Sequence, residues 1–100
     1  MYDNIDTERE VNSMRNIVME NLKAFFEDEV KYLEQSFQAN LDWVSEPKIL
    51  VDCCRSRCLG ATLFAESFKD VNTHDVELMF NDYKNKMYKI YRTYKRERGE

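Results

Sequence analysis

Glycine occurs twice and proline once in the 100 residues of this chain. Turns and β-hairpins draw heavily on both, so their scarcity argues against a loop-rich or all-β fold. It favours a few long helices with few connections. With only Gly60 and Gly99 present, a glycine-rich phosphate loop cannot be built. No apolar stretch approaches the roughly 18 residues that a membrane-spanning helix needs. The opening Met1-Tyr2-Asp3-Asn4 shows no basic segment followed by an apolar run, so no secretory signal is expected. Histidine occurs once, at His74. That rules out the multi-histidine metal sites and leaves little material for a catalytic triad.

Cysteine is scarce in a different way. Cys53, Cys54 and Cys58 crowd into six residues, and an odd, clustered set is not a disulfide framework. A reducing interior, cytoplasmic or within a host cell, is the expected location. Cys54 and Cys58 stand four residues apart and would share a helix face, with His74 as a third candidate ligand. Tetrahedral zinc sites take four ligands on short loop spacers, so packing as small apolar residues is the favoured reading. Arg55 and Arg57 beside the thiols leave a redox-sensitive site as a minor alternative.

Apolar residues make up 43% of the chain and charged residues 34%, a balance that suits one folded domain spanning residues 1–100. The net charge of −4 is unevenly placed. Residues 1–46 hold eleven acids and four bases, whereas residues 83–100 hold two acids and seven bases. Such asymmetry either steers association with a partner or is neutralised inside the fold.

Periodicity supplies the architecture. Thr7 and Glu10 fit a capping box and open a helix predicted over 7–44. Its stripe is Val11, Met14, Val18, Leu22, Phe26, Val30, Leu33, Phe37, Leu41 and Val44, in steps of three or four. A second stripe, Ile17, Phe25, Tyr32, Ala39 and Trp43, widens the apolar arc to face two neighbours. Ser45-Glu46-Pro47 separates this helix from a second over 46–69. The inner face predicted there is Leu50, Cys53, Cys54, Arg57 or Cys58, Ala61, Phe64 and Phe68, with Gly60 allowing close approach of another helix. Asn72 or Thr73 caps a third helix, whose stripe is Val76, Phe80, Tyr83, Met87, Ile90 and Tyr94. Arg98-Gly99-Glu100 reads as a frayed tail. The predicted fold is all-α: one long N-terminal helix followed by a helical hairpin. That gives a three-helix bundle, or four helices if the first breaks near Glu27-Asp28-Glu29.

A straight helix over 7–44 spans about 57 Å, whereas a compact chain of this size has a radius of gyration near ~13 Å. The first helix therefore outruns the core available to cover it, and exposed apolar stripes mark interaction sites. Val18, Leu22, Phe25, Phe26, Tyr32 and Phe37 are the expected protein-binding residues, with self-association into a homodimer as one outcome. The resulting expectation is a small intracellular protein-binding module, an adaptor or inhibitor that occupies a partner surface. This aromatic-rich helical pattern is common among regulatory adaptors and phage- or virus-encoded inhibitors. The alternative is a nucleic-acid-associated regulator using Lys84, Lys89, Arg92, Lys95 and Arg96 on a tyrosine-rich helix. No catalytic, cofactor-binding or metal-ligating set is expected, and no membrane partner.

Overall fold

The structure, a computed structural model, describes the backbone of residues 2–39 and 47–99, with side chains described from residue 14 onward within them. Three helices follow one another: α1 (Tyr2–Gln38), α2 (Pro47–Glu66) and α3 (Thr73–Glu97). Each packs against the other two, and the described residues contain no strand. None of these helices is long and apolar enough to cross a membrane.

Helix α1 is continuous through Glu27-Asp28-Glu29, so the four-helix alternative does not arise. It begins at Tyr2, five residues before the capping box read in the sequence. Thr7 thus lies inside the helix, where a backbone already bonded to its neighbours has no use for a cap. Val11 falls among residues whose side chains are not described, and Leu41, Trp43 and Val44 lie outside the described residues. Helix α2 begins at Pro47, where the missing N–H and fixed φ suit a first helical turn. It stops at Glu66, short of the predicted 69, and tightens into turns in which the Ser67 and Phe68 amides donate to the Phe64 and Ala65 carbonyls. Asn72 caps α3 as expected, its Oδ1 accepting from the His74 and Asp75 amides at 2.9 and 3.3 Å. The far end of α3 is also closed. The Arg98 amide returns to the Tyr94 and Lys95 carbonyls, and Gly99 takes φ 77°. That left-handed conformation is the usual job of a glycine past a helix end, so the predicted fraying is corrected to a cap.

The direction of packing follows from specific contacts. Glu29 of α1 meets Arg57 of α2, while Arg15 Nε donates to the Asp70 carbonyl at 2.7 Å, so α1 and α2 run antiparallel. Phe26 meets Phe80 and Tyr83, and Phe37 stacks on Tyr94 at 4.3 Å, so α1 and α3 run parallel. The three helices form an up-down-up bundle. Its fully buried centre is Phe26 and Leu33 from α1, Val51, Cys54 and Cys58 from α2, and Val76 and Met87 from α3.

The molecule measures 65 × 21 × 17 Å, with a radius of gyration of 17.4 Å. Arg15 already reaches the turn between α2 and α3, so the part of α1 before it runs past that end of the bundle.

One rotation differs from the sequence expectation. The buried face of α2 is Val51, Cys54, Cys58, Thr62 and Ala65, about a quarter turn from the predicted one. Cys53 and Phe64, predicted inside, are exposed. Gly60 is exposed too, and a Cβ built there would meet nothing within 4 Å. Close helix approach within this bundle is therefore not its role.

Two stability outcomes follow. Phe26→Ala should lower the unfolding free energy by about 3–5 kcal/mol, the usual cost of emptying a buried aromatic site. Gly60→Ala, measured at high dilution, should raise it by roughly 0.5–1 kcal/mol, because helix propensity is gained and no contact is lost. Urea titrations of both variants check the pair. A destabilised alanine variant at position 60 would mean that the helix is packed there.

Candidate functional site

The six α1 residues expected to bind protein divide into two sets. Leu22, Phe26 and Phe37 are buried in the chain's own core, and Val18 is half-buried against it. Phe26 is ringed by Phe80 and Tyr83, with centroids at 6.3 and 5.3 Å. Three of the six are therefore spent on holding the bundle together. Phe25 and Tyr32 remain on the surface, 38% and 44% exposed. Met14 and Ile17 are exposed on the same side of the helix.

The larger apolar surface lies on α2, where the sequence reading did not place it. Ile49, Leu59, Leu63 and Phe64 are 55%, 45%, 59% and 69% exposed. Their spacing places them, with the exposed Cys53, Ser56 and Gly60, on the outward side of the helix. None of these seven residues is charged. The rotation that buries Val51, Cys54 and Cys58 necessarily turns this face out.

That rotation is pinned by a fork. Arg57 Nε and Nη2 each donate to a Glu29 carboxylate oxygen at 2.8 Å, and its guanidinium lies 5.7 Å from the centre of the Tyr32 ring. The Glu29 side chain is only 13% exposed, so the pair is partly shielded from water and the bidentate geometry is the strong kind. The bond to Glu29 holds the Arg57 guanidinium above its ordinary pKa, permanently charged. Glu27 is engaged as well, accepting from the Tyr83 hydroxyl at 3.0 Å. Within the acidic run Glu27-Asp28-Glu29, Glu27 and Glu29 are thus tertiary contacts. Among the described residues no salt bridge joins α1 to α3.

The three thiols differ sharply. Cys54 and Cys58 are buried, and burial pushes each thiol up from 9.0 to about 12. Arg57 Nη2 lies 3.3 Å from the Cys54 sulfur and pulls the other way, but desolvation wins. Cys53 is exposed, which corrects the reading of all three as packing residues. His74 is an exposed residue in the first turn of α3. Among the described residues, no three His, Cys, Asp or Glu side chains gather as a metal site.

The basic band of α3 faces outward. Lys89, Arg92 and Arg96 are exposed, while Lys84 and Lys95 are half-buried with their ammonium groups 6.0 and 5.4 Å from the Phe80 and Tyr91 ring centres. Tyr88 and Tyr91 are half-buried against the core. A base could stack on neither ring without displacing packing. Between α1 and α3 lies an open cleft of about 440 Å³, floored by Val30, Phe37, Ile90 and Tyr94 and rimmed by Glu34, Glu97, Lys86 and Lys89. It contains no cysteine or histidine.

No family model, curated protein or solved structure matches this chain. The functional argument therefore rests on its surfaces alone.

Thiol chemistry offers a direct check of the rotation. Only Cys53 should react with a thiol reagent in the native protein at neutral pH, with Cys54 and Cys58 appearing on unfolding. Their raised values also fix a sign. Stability from keeping both thiols neutral is complete below about pH 9 and is lost as pH rises toward about 12. Denaturation between pH 7 and 11 should show that decline, and Cys54→Ala should make it shallower.

Proposed function

We propose that this chain is a small protein-binding module, an adaptor or inhibitor that acts by covering a partner's surface rather than by chemistry. The observation that carries the reading is the outward face of α2. Ile49, Leu59, Leu63 and Phe64 are exposed together on a helix whose other side is fully committed to the core. Scattered exposed apolar residues are ordinary, but a contiguous helical face is a recognition surface. Phe25 and Tyr32 of α1 extend it across the seam that Arg57 and Glu29 hold closed. The site differs from the stripe expected on α1 alone, because Leu22, Phe26 and Phe37 serve the core.

A second reading has its own observation. Lys84, Lys89, Arg92, Lys95 and Arg96 fan over the outer side of α3, and among the described residues none of them is held in a salt bridge. That band suits a polyanion, nucleic acid included. It ranks second because the chain is acidic overall and its tyrosines are packed, leaving phosphate contact without base stacking.

Leu63→Glu separates the two. The side chain is exposed, so the variant should melt within about 0.5 kcal/mol of wild type, as surface substitutions usually do. Capture with wild-type and variant bait, followed by mass spectrometry, should show proteins retained by the first and lost by the second. An identical set on both baits removes the α2 face from the account. Lys89→Glu with Arg92→Glu should leave that set intact. If nucleic acid is the partner instead, the double reversal abolishes a complex whose affinity falls steeply with salt.

A further inference from the structure

The geometry points to a second docking site on the side of the bundle away from α2: the groove between α1 and α3 receives an amphipathic helix of a partner protein, laid antiparallel to both. This goes beyond the α2 face proposed above. It makes the chain an adaptor with two seats rather than an inhibitor with one.

The seat is long and continuous. The cleft of about 440 Å³ is joined, toward the start of α3, by a second of about 640 Å³, and Lys86 lines both. Met19, Met79 and Tyr83 floor the second cleft as Val30, Ile90 and Tyr94 floor the first. From Met19 to Gln38 on α1, and from Asp75 to Glu97 on α3, the groove runs about 30 Å, between five and six helical turns. That exceeds one small molecule and matches a helix of about 20 residues. No residue of α2 lines either cleft, so a helix seated here leaves the outer face of α2 free.

Topology gives the direction. In up-down bundles each helix runs against its neighbours. Helix α2 runs that way on one side of the parallel α1–α3 pair, and a fourth helix running against both completes the pattern on the other.

Charge names the occupant. Along the α3 rim Asp75 and Asp82 come first, then Lys86 and Lys89, then Glu97. The α1 rim carries the opposite sign at matching heights. The Phe26–Tyr83 and Phe37–Tyr94 contacts set Lys23 between Asp75 and Asp82, and Glu34 level with Lys89. Among the described residues none of these seven is held in a salt bridge. Opposite signs therefore face each other across the groove without meeting, and a helix between them sets a complementary flank against each rim. A nucleic acid or an anionic lipid surface carries one sign throughout, and the four carboxylates repel it. Read antiparallel, the partner's flank toward α3 has a base facing Glu97, acids about eight and eleven residues on, and a base about fifteen residues on.

The test uses the full chain as bait for phage-displayed helical peptides about 24 residues long, apolar along one stripe and randomised among Glu, Lys, Gln and Ala elsewhere. Recovered peptides should carry that order of acids and bases, and synthetic copies should bind in fluorescence anisotropy. Thr93 is exposed and lines the first cleft. Thr93→Trp fills it and should weaken binding about tenfold, as loss of a central seat does, while melting like wild type. Lys89→Glu should weaken the same peptides several-fold, and replacing their facing Glu by Lys should restore affinity. Leu63→Glu, on the other side of the bundle, should change nothing. Recovery of no peptide, or of peptides indifferent to Thr93→Trp, overturns the inference. So do peptides that Thr93→Trp blocks but that lack the charge order. Peptides lost with Leu63→Glu instead sit on the α2 face, which rejects the groove and leaves the binding-module reading standing. If no peptide is recovered and no captured protein depends on Leu63, both fall.

Discussion

The fork between Arg57 and Glu29 constrains everything that the surface of this protein can do. A helix with apolar residues on every side has no intrinsic preference for which side to bury, and α2 is close to that case. Arg57 cannot enter the core without stranding a charge. Held by two hydrogen bonds to Glu29, it sits at the α1–α2 seam and fixes the rotation of α2 about its own axis. Val51, Cys54 and Cys58 then fall inside, and Leu63, Phe64 and Cys53 fall outside. The fork also sets the register of the antiparallel pair, with Arg15 and the Asp70 carbonyl as its second anchor near the α2–α3 turn. Even a partly shielded ion pair must offset the desolvation of its charges, so its net contribution to stability is modest. The value of this one lies in selecting among packings whose apolar burial is similar.

How much was legible in the sequence follows from the same contrast. Helices α1 and α3 alternate apolar and charged residues, so their inner stripes can be read directly. Leu22, Phe26, Leu33 and Phe37 are buried, as are Val76, Tyr83, Met87 and Tyr94. The Asn72 cap could be read for a local reason, because a side-chain acceptor at a helix start acts within three residues. Helix α2 resisted because Leu59, Leu63 and Phe64 are as apolar as Val51 and Cys58, and periodicity carries no phase when both sides look alike. The signal that could have resolved it was Arg57 itself, had it been paired with an acid of α1 rather than counted as a possible inner residue. The α1 start was misread because a capping box is a local pattern. It cannot tell whether the chain before it is already helical.

The candidate site was harder to read for a physical reason. Exposure of an apolar residue depends on where the neighbouring helices end, and no local rule supplies that. The expectation of surplus apolar surface was sound in kind, since the bundle does leave large apolar residues uncovered. Its location moved from α1 to α2 because Leu22, Phe26 and Phe37 of α1 are buried in the core, while α2 turns Ile49, Leu59, Leu63 and Phe64 outward. The cysteine cluster shows the same effect at the scale of single atoms. Neighbours in sequence diverge by about 100° on a helix, so Cys53 meets water while Cys54 is sealed beside Arg57.

The uncovered run of α1 has a hydrodynamic consequence. A body of 65 × 21 × 17 Å drags more solvent than a sphere of equal mass, and its tumbling is anisotropic, fast about the long axis and slow across it. Its Stokes radius therefore exceeds that of a globular 100-residue protein. A column calibrated with compact standards will convert that elongation into apparent mass, so early elution from this chain reports shape as much as assembly.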